Sequence, residues 1–190
     1  MRPPSGKPTS TANARATMSP APPASLLTDW FDDEPAFDCA AVPMPVRALV
    51  RALASGTTTR RCAVLWLSPA AYTAGPRWAT HCLELQPRHL GREVLATCEA
   101  QGTQRVPASA SDLLRHLHTA TAGTTGTWLW GLDALLTRLP TAEIQVFWAA
   151  LFDLRQRPPL LLALPQTYRD FGPPEPNRWL QAEPCRGVEL

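Results

Sequence analysis

Lysine is all but absent from this 190-residue chain: Lys7 is the only one, and nearly all of its cations are arginines. That scarcity bears on nucleotide chemistry, because a GxxxxGK loop ending in Ser or Thr needs a lysine on the phosphates. Neither that loop nor GxGxxG occurs in the sequence. Gly75 in TAGPRWAT is isolated and followed by Pro76, whose missing N–H removes a donor that a phosphate cradle would use. Charge is scarce as well, at 18% Asp, Glu, Lys and Arg, so part of the surface must be neutral Thr, Ser, Gln, Pro and Ala. A formal net charge of +2 is too small to point to a nucleic-acid or membrane partner by electrostatics alone. The arginine bias suits bidentate contacts to carboxylates and phosphates, but an Ala, Arg and Pro bias also follows from GC-rich coding, the preferred explanation. No apolar run approaches the roughly 20 residues a membrane helix requires.

The five cysteines, Cys39, Cys62, Cys82, Cys98 and Cys185, form no CxxC pair and no zinc-type spacing. An odd number without a signal peptide reads as free thiols in a reducing, cytoplasmic compartment. Cys62, Cys82 and Cys98 lie in apolar stretches, where small buried hydrophobes are expected. His81, His89, His116 and His118 lack metal-ligand spacing with an acid or thiol, so no metal is expected. GxSxG is also missing, and Ser68 has none of the flanking glycines that a nucleophile elbow needs.

What the chain does contain divides it into four parts. Residues 1–25 hold Arg2, Lys7 and Arg15 without an acid and few large apolar residues, the composition of a disordered, proline-rich tail. Its basic, acid-poor character is distantly that of a transit peptide, but Pro3, Pro4, Pro8, Pro20 and Pro22 break the amphipathic helix such a peptide needs. Residues 26–41 interleave Asp29, Asp32, Asp33, Glu34 and Asp38 with Trp30, Phe31 and Phe37. This is an acidic-aromatic linker or docking segment, able to bury its rings in cis or on a partner. Residues 42–182 read as one α/β domain and 183–190 as a C-terminal tail.

Within the domain, Val46, Leu49, Val50 and Leu53 fall at i, i+3, i+4 and i+7, the stripe of a helix stopped at Gly56. The runs CAVLWL, GTWLWGL and PLLLAL are short and apolar throughout, as strands buried on both faces should be. HCLELQ (81–86) alternates and reads as another strand, SPAAYTAGPRWAT before it as a loop, and NRWLQ (177–181) as an edge strand. RHLGREVLATCEAQG, SASDLLRHLHTATAG and TAEIQVFWAALFDLRQR carry helical stripes. Apolar strands alternating with helices specify a single three-layer α/β domain with a mostly parallel sheet.

Two groups of residues stand out for function. Asp133 directly follows the strand GTWLWGL, where a carboxylate can hold magnesium or simply begin a turn. Glu84 is the other acid weighed for catalysis. Trp78 beside Arg77, in the expected loop, reads as an exposed contact for a protein or a base. Trp30, Phe31, Asp32 and Asp33 form the second contact group.

The succession of a helix, CAVLWLSP, a loop, HCLELQP, helices, GTWLWGLD, a helix and PLLLALP resembles the second part of a RecA-type nucleotide-binding core. It is similar in outline to degenerate, non-hydrolysing relatives, the SulA cell-division inhibitors, which have lost the phosphate loop. The resemblance covers roughly residues 44–165 and carries over one position, Asp133, as Walker B-like. It implies a fold kept for its surface. The expectation is a non-catalytic factor that inhibits or modulates a partner protein in a bacterial or mobile-element system, with no cofactor. The alternative is a nucleic-acid-associated enzyme using ATP and magnesium, with Asp133, Glu84, Arg77 and Arg88 gathered at the strand C-terminal ends.

Overall fold

The computed structural model describes residues 38–55, 60–103, 106–119, 126–155 and 158–190. A 3-10 helix at Cys39–Ala41 leads into α1 (Met44–Ala54), and Pro43 sets up its first turn. There follow β1 (Cys62–Leu67), α2 (Pro69–Cys82), β2 (Gln86–His89), α3 (Leu90–Ala100) and α4 (Ala110–Thr119). The second half contains β3 (Thr127–Trp130), α5 (Asp133–Leu136), α6 (Thr141–Asp153) and β4 (Leu160–Pro165), then a 3-10 segment, α7 (Pro176–Leu180) and β5 (Gly187–Glu189).

All five strands are parallel, in the order β2-β3-β4-β1-β5. The path from β1 to β2 runs over β4 and β3 to the far edge, and every later connection steps back the other way. Since such crossovers are right-handed, the reversal puts the helices on opposite faces of the sheet. Side chains alternate accordingly. Val64, Trp66, Leu129 and Leu162 meet α3 to α7, whereas Ala63, Leu65, Trp128 and Leu161 meet α1 and α2. The α/β class and parallel sheet follow from the apolar runs as expected.

Several expectations are corrected. The stretch written as a loop is helix α2. Ser68 caps it through a hydroxyl that accepts from the Ala71 N–H, and Pro69 occupies its first position. Gly75 and Pro76 look like breakers, but Gly75 lies against Trp128, where an added Cβ would stand 2.4 Å from Cζ2. Close helix-to-sheet packing thus overrides local propensity.

HCLELQ is not a strand either. His81 and Cys82 finish α2, Glu84 turns the chain at φ +54°, and the Leu85 N–H reaches back to the Ala79 carbonyl. Pairing begins only at Gln86. Finally, NRWLQ is helical, because Trp179 packs inward edge-on to Trp148 and Phe152. The edge strand is β5, inside the stretch expected to be a tail. Arg186 pins it: Nε donates to the Cys62 carbonyl at 2.8 Å, Nη1 donates to that of Phe152 at 2.9 Å, and the guanidinium stacks on Phe152 and Trp179.

Two cysteines expected as thiols are bonded instead. Cys39 and Cys82, 43 residues apart, form a disulfide with Cα atoms 5.4 Å apart, joining the first 3-10 helix to the last residue of α2. Nothing in their spacing announces the pair. Among the described residues no helix is long and apolar enough to cross a membrane.

Candidate functional site

In an open parallel sheet the strand C-terminal ends form the usual ligand crevice. Here β1 and β3 lie on either side of β4, so the loops after Leu67 and Trp130 stand one strand apart. The loop after β1 is a single residue, Ser68, before α2 starts. Its shortness carries Tyr72, one turn into α2, across toward β3.

The Tyr72 hydroxyl donates to Asp133 Oδ1 at 2.8 Å and accepts from the Gly131 N–H, also at 2.8 Å. Gly131 adopts φ +69°, a left-handed conformation that turns its N–H inward and that glycine accepts without strain. Burial raises the Tyr72 phenol well above the usual tyrosine range, and the bond to Asp133 adds to the rise. The pair is therefore a neutral phenol on a carboxylate.

His89 ends β2 beside this pair. Its ring lies 4.4 Å from that of Trp130, which also meets Tyr72 edge-on at 6.0 Å. Nδ1 accepts from the Arg92 N–H at 3.3 Å and caps α3, which leaves the proton of the neutral imidazole on Nε2. Burial, then the Arg92 charge, lowers its pKa below 6.5. A Cβ on Gly131 would come within 2.1 Å of His89 Cε1, so the ring fills the space that glycine leaves.

These residues do not fit magnesium-bound ATP. Pro69 offers no N–H at the start of α2, the Ala71 N–H is taken by Ser68, and the sole lysine is Lys7. One Asp133 oxygen is engaged by Tyr72. Among the described residues, no three His, Cys, Asp or Glu side chains gather as a metal site would require.

Of the residues singled out in the sequence, only Asp133 stands at this crevice. Glu84 precedes β2 and Asp133 follows β3, so in a parallel sheet the two carboxylates lie at opposite ends and cannot share a reaction. Arg88 is buried and paired with Glu93, its Nε 2.8 Å from Oε1. Arg77 is half-buried in the third turn of α2, beyond the crevice. Trp78 is not exposed: it is 5% accessible and belongs to the cluster around α1, because the residues about it are helical rather than a loop. Trp30, Phe31, Asp32 and Asp33 fall outside the described residues.

Sequence reasoning missed Tyr72 and Gly131, and set His89 aside for lacking metal-ligand spacing. The glycine between an apolar strand and an aspartate was a usable signal for a left-handed turn. Tyr72 had none, because its partner lies 61 residues away. Compared with protein-family models, curated proteins and solved structures, the chain matches none of them.

Proposed function

We propose that this chain is a non-catalytic interaction factor that inhibits or modulates a partner protein, in a bacterial or mobile-element setting. One observation carries the reading: at the strand ends where an open α/β sheet would take its ligand, the Tyr72 hydroxyl is bonded to Asp133 and the Gly131 N–H, and the His89 ring lies against Trp130. A sheet whose strand ends are taken up by its own side chains would work through its surface. The likeness to a degenerate RecA-type core belongs to this proposal, with Asp133 as its one Walker B-like position. The enzyme alternative loses the acid pair on which it relied, since Glu84 and Asp133 lie apart.

For the docking element we retain the acidic-aromatic stretch of Trp30, Phe31, Asp32 and Asp33, whose composition supports partner binding. Arg77 is half-buried and stays part of the proposal as a contact residue; buried Trp78 does not. Cytoplasmic location stays part of the proposal, in tension with the Cys39–Cys82 bond. The test is capture of a partner by the full chain, compared with the double variant Trp30→Ala, Phe31→Ala. Loss of a saturable partner in the variant supports the reading, and undiminished binding removes this segment from it.

A further inference from the structure

We propose that the Cys39–Cys82 disulfide is a reversible redox clamp, which a dithiol reductant opens to release residues 38–41 while the sheet stays folded. The argument begins with what else holds that segment. The 3-10 helix Cys39–Ala41 buries none of its residues. Its internal bonds are local: Asp38 Oδ1 accepts from the Ala40 N–H, and the Ala41 and Val42 amides donate back to Asp38 and Cys39. Across to α1, the Arg47 guanidinium donates to the carbonyls of Cys39 and Val42. To α2, the covalent tie is the disulfide itself.

Immediately after this segment the situation changes. Val42 is 2% accessible, and Val46 and Leu53 are fully buried against the sheet. A boundary therefore falls at Val42. Upstream, the disulfide and the Arg47 hydrogen bonds do the work that apolar burial does downstream, and local opening follows the least buried part of a structure.

Of the three free thiols, Cys185 is exposed and the other two are shielded from exchange. Cys62 is fully buried, and burial pushes its thiol up to about 12, far from the thiolate that exchange requires. Cys98 is buried as well. Cys39 and Cys82 are both half-buried and can be reached by a reductant. A thiolate of the dithiol attacks one sulfur of the pair and expels the other as a thiolate, forming a mixed disulfide. The second thiol then displaces the remaining cysteine. The protein disulfide gains two electrons and two protons, and the reductant leaves as its own disulfide. Where disulfides occur in reducing compartments they are usually of this transient, redox-sensing kind.

Cys39 lies within the segment 26–41, so under the function proposed above the clamp would place the docking segment under redox control. The clamp itself does not depend on that reading. The test uses the full chain, oxidised and then treated with dithiothreitol, followed by thiol alkylation in denaturant and amide hydrogen exchange. Three cysteines should alkylate before reduction and all five after it. On reduction, amides 39–42 should exchange roughly tenfold faster or more, with 46–53 and 62–67 unchanged. The variant Cys39→Ser, Cys82→Ser should show the fast pattern without reductant. Five reactive thiols in the untreated protein, unchanged exchange at 39–42, or loss of protection through β1 would each overturn the proposal.

Discussion

Tyr72 and Asp133, 61 residues apart, meet at the C-terminal end of the sheet through a 2.8 Å hydrogen bond in which the phenol donates. The same oxygen accepts the Gly131 N–H. One hydroxyl thus ties the first turn of α2 to the loop after β3, across the gap that β4 spans. It places the side chain of a helix where a ligand would otherwise approach the strand ends.

Tyr72→Phe removes both bonds and leaves the Gly131 N–H and the carboxylate to find water. The expected cost is about 1–2 kcal/mol, the usual range for orphaning partly buried polar groups. Urea unfolding of the two proteins measures it. Equal midpoints would mean that the hydroxyl contributes nothing to closure.

Burial and the bond to Asp133 hold Tyr72 protonated above the usual tyrosine pKa of about 10. The folded state keeps the proton after the unfolded chain has lost it. This contribution to stability is complete below pH ~10 and is lost as the pH rises through the folded value. The chain has two tyrosines, so in Tyr168→Phe the ultraviolet phenolate band reports Tyr72 alone. It should appear above the ordinary range; an ordinary midpoint in folded protein would contradict the geometry.

His89 has the opposite sign. Its folded pKa lies below 6.5, so protonation favours the unfolded chain. The contribution is present above pH ~6.5 and is lost as pH falls through the lower folded value. Between pH 7 and pH 5 the wild type should lose more stability than His89→Gln, as followed by thermal unfolding. Parallel profiles for the two proteins would remove His89 from the account.

Gly75→Ala would normally strengthen a helix by about 1 kcal/mol. Here the new methyl meets Trp128 at 2.4 Å, and overpacking of this kind costs about 1–3 kcal/mol. Net destabilisation in urea is expected. A gain in stability would mean that α2 can move off the sheet freely.

The sequence made some of this legible and hid the rest for identifiable reasons. CAVLWL and PLLLAL are apolar throughout because both faces of these central strands are covered, and such runs are readable without neighbours. The stripe from Ile144 to Leu151 was readable for the same local reason. Helix α2 was not, because Gly75 and Pro76 speak locally against a helix and only contact with Trp128 justifies the glycine. β5 has three residues, too few for any pattern, and is anchored by Arg186 from outside the strand. At the site, Asp133 could be placed after its strand, but a partner on another helix, such as Tyr72, leaves no trace in spacing. The separation of Glu84 from Asp133 likewise depends on strand direction rather than on either residue.

The most direct test of the central claim, that the strand-end crevice is closed by its own side chains, is a calorimetric titration of the full chain with ATP and magnesium, with and without DNA. The account predicts no saturable binding in either arm. Saturable binding that disappears in Asp133→Asn would contradict it, and would make the crevice a ligand site.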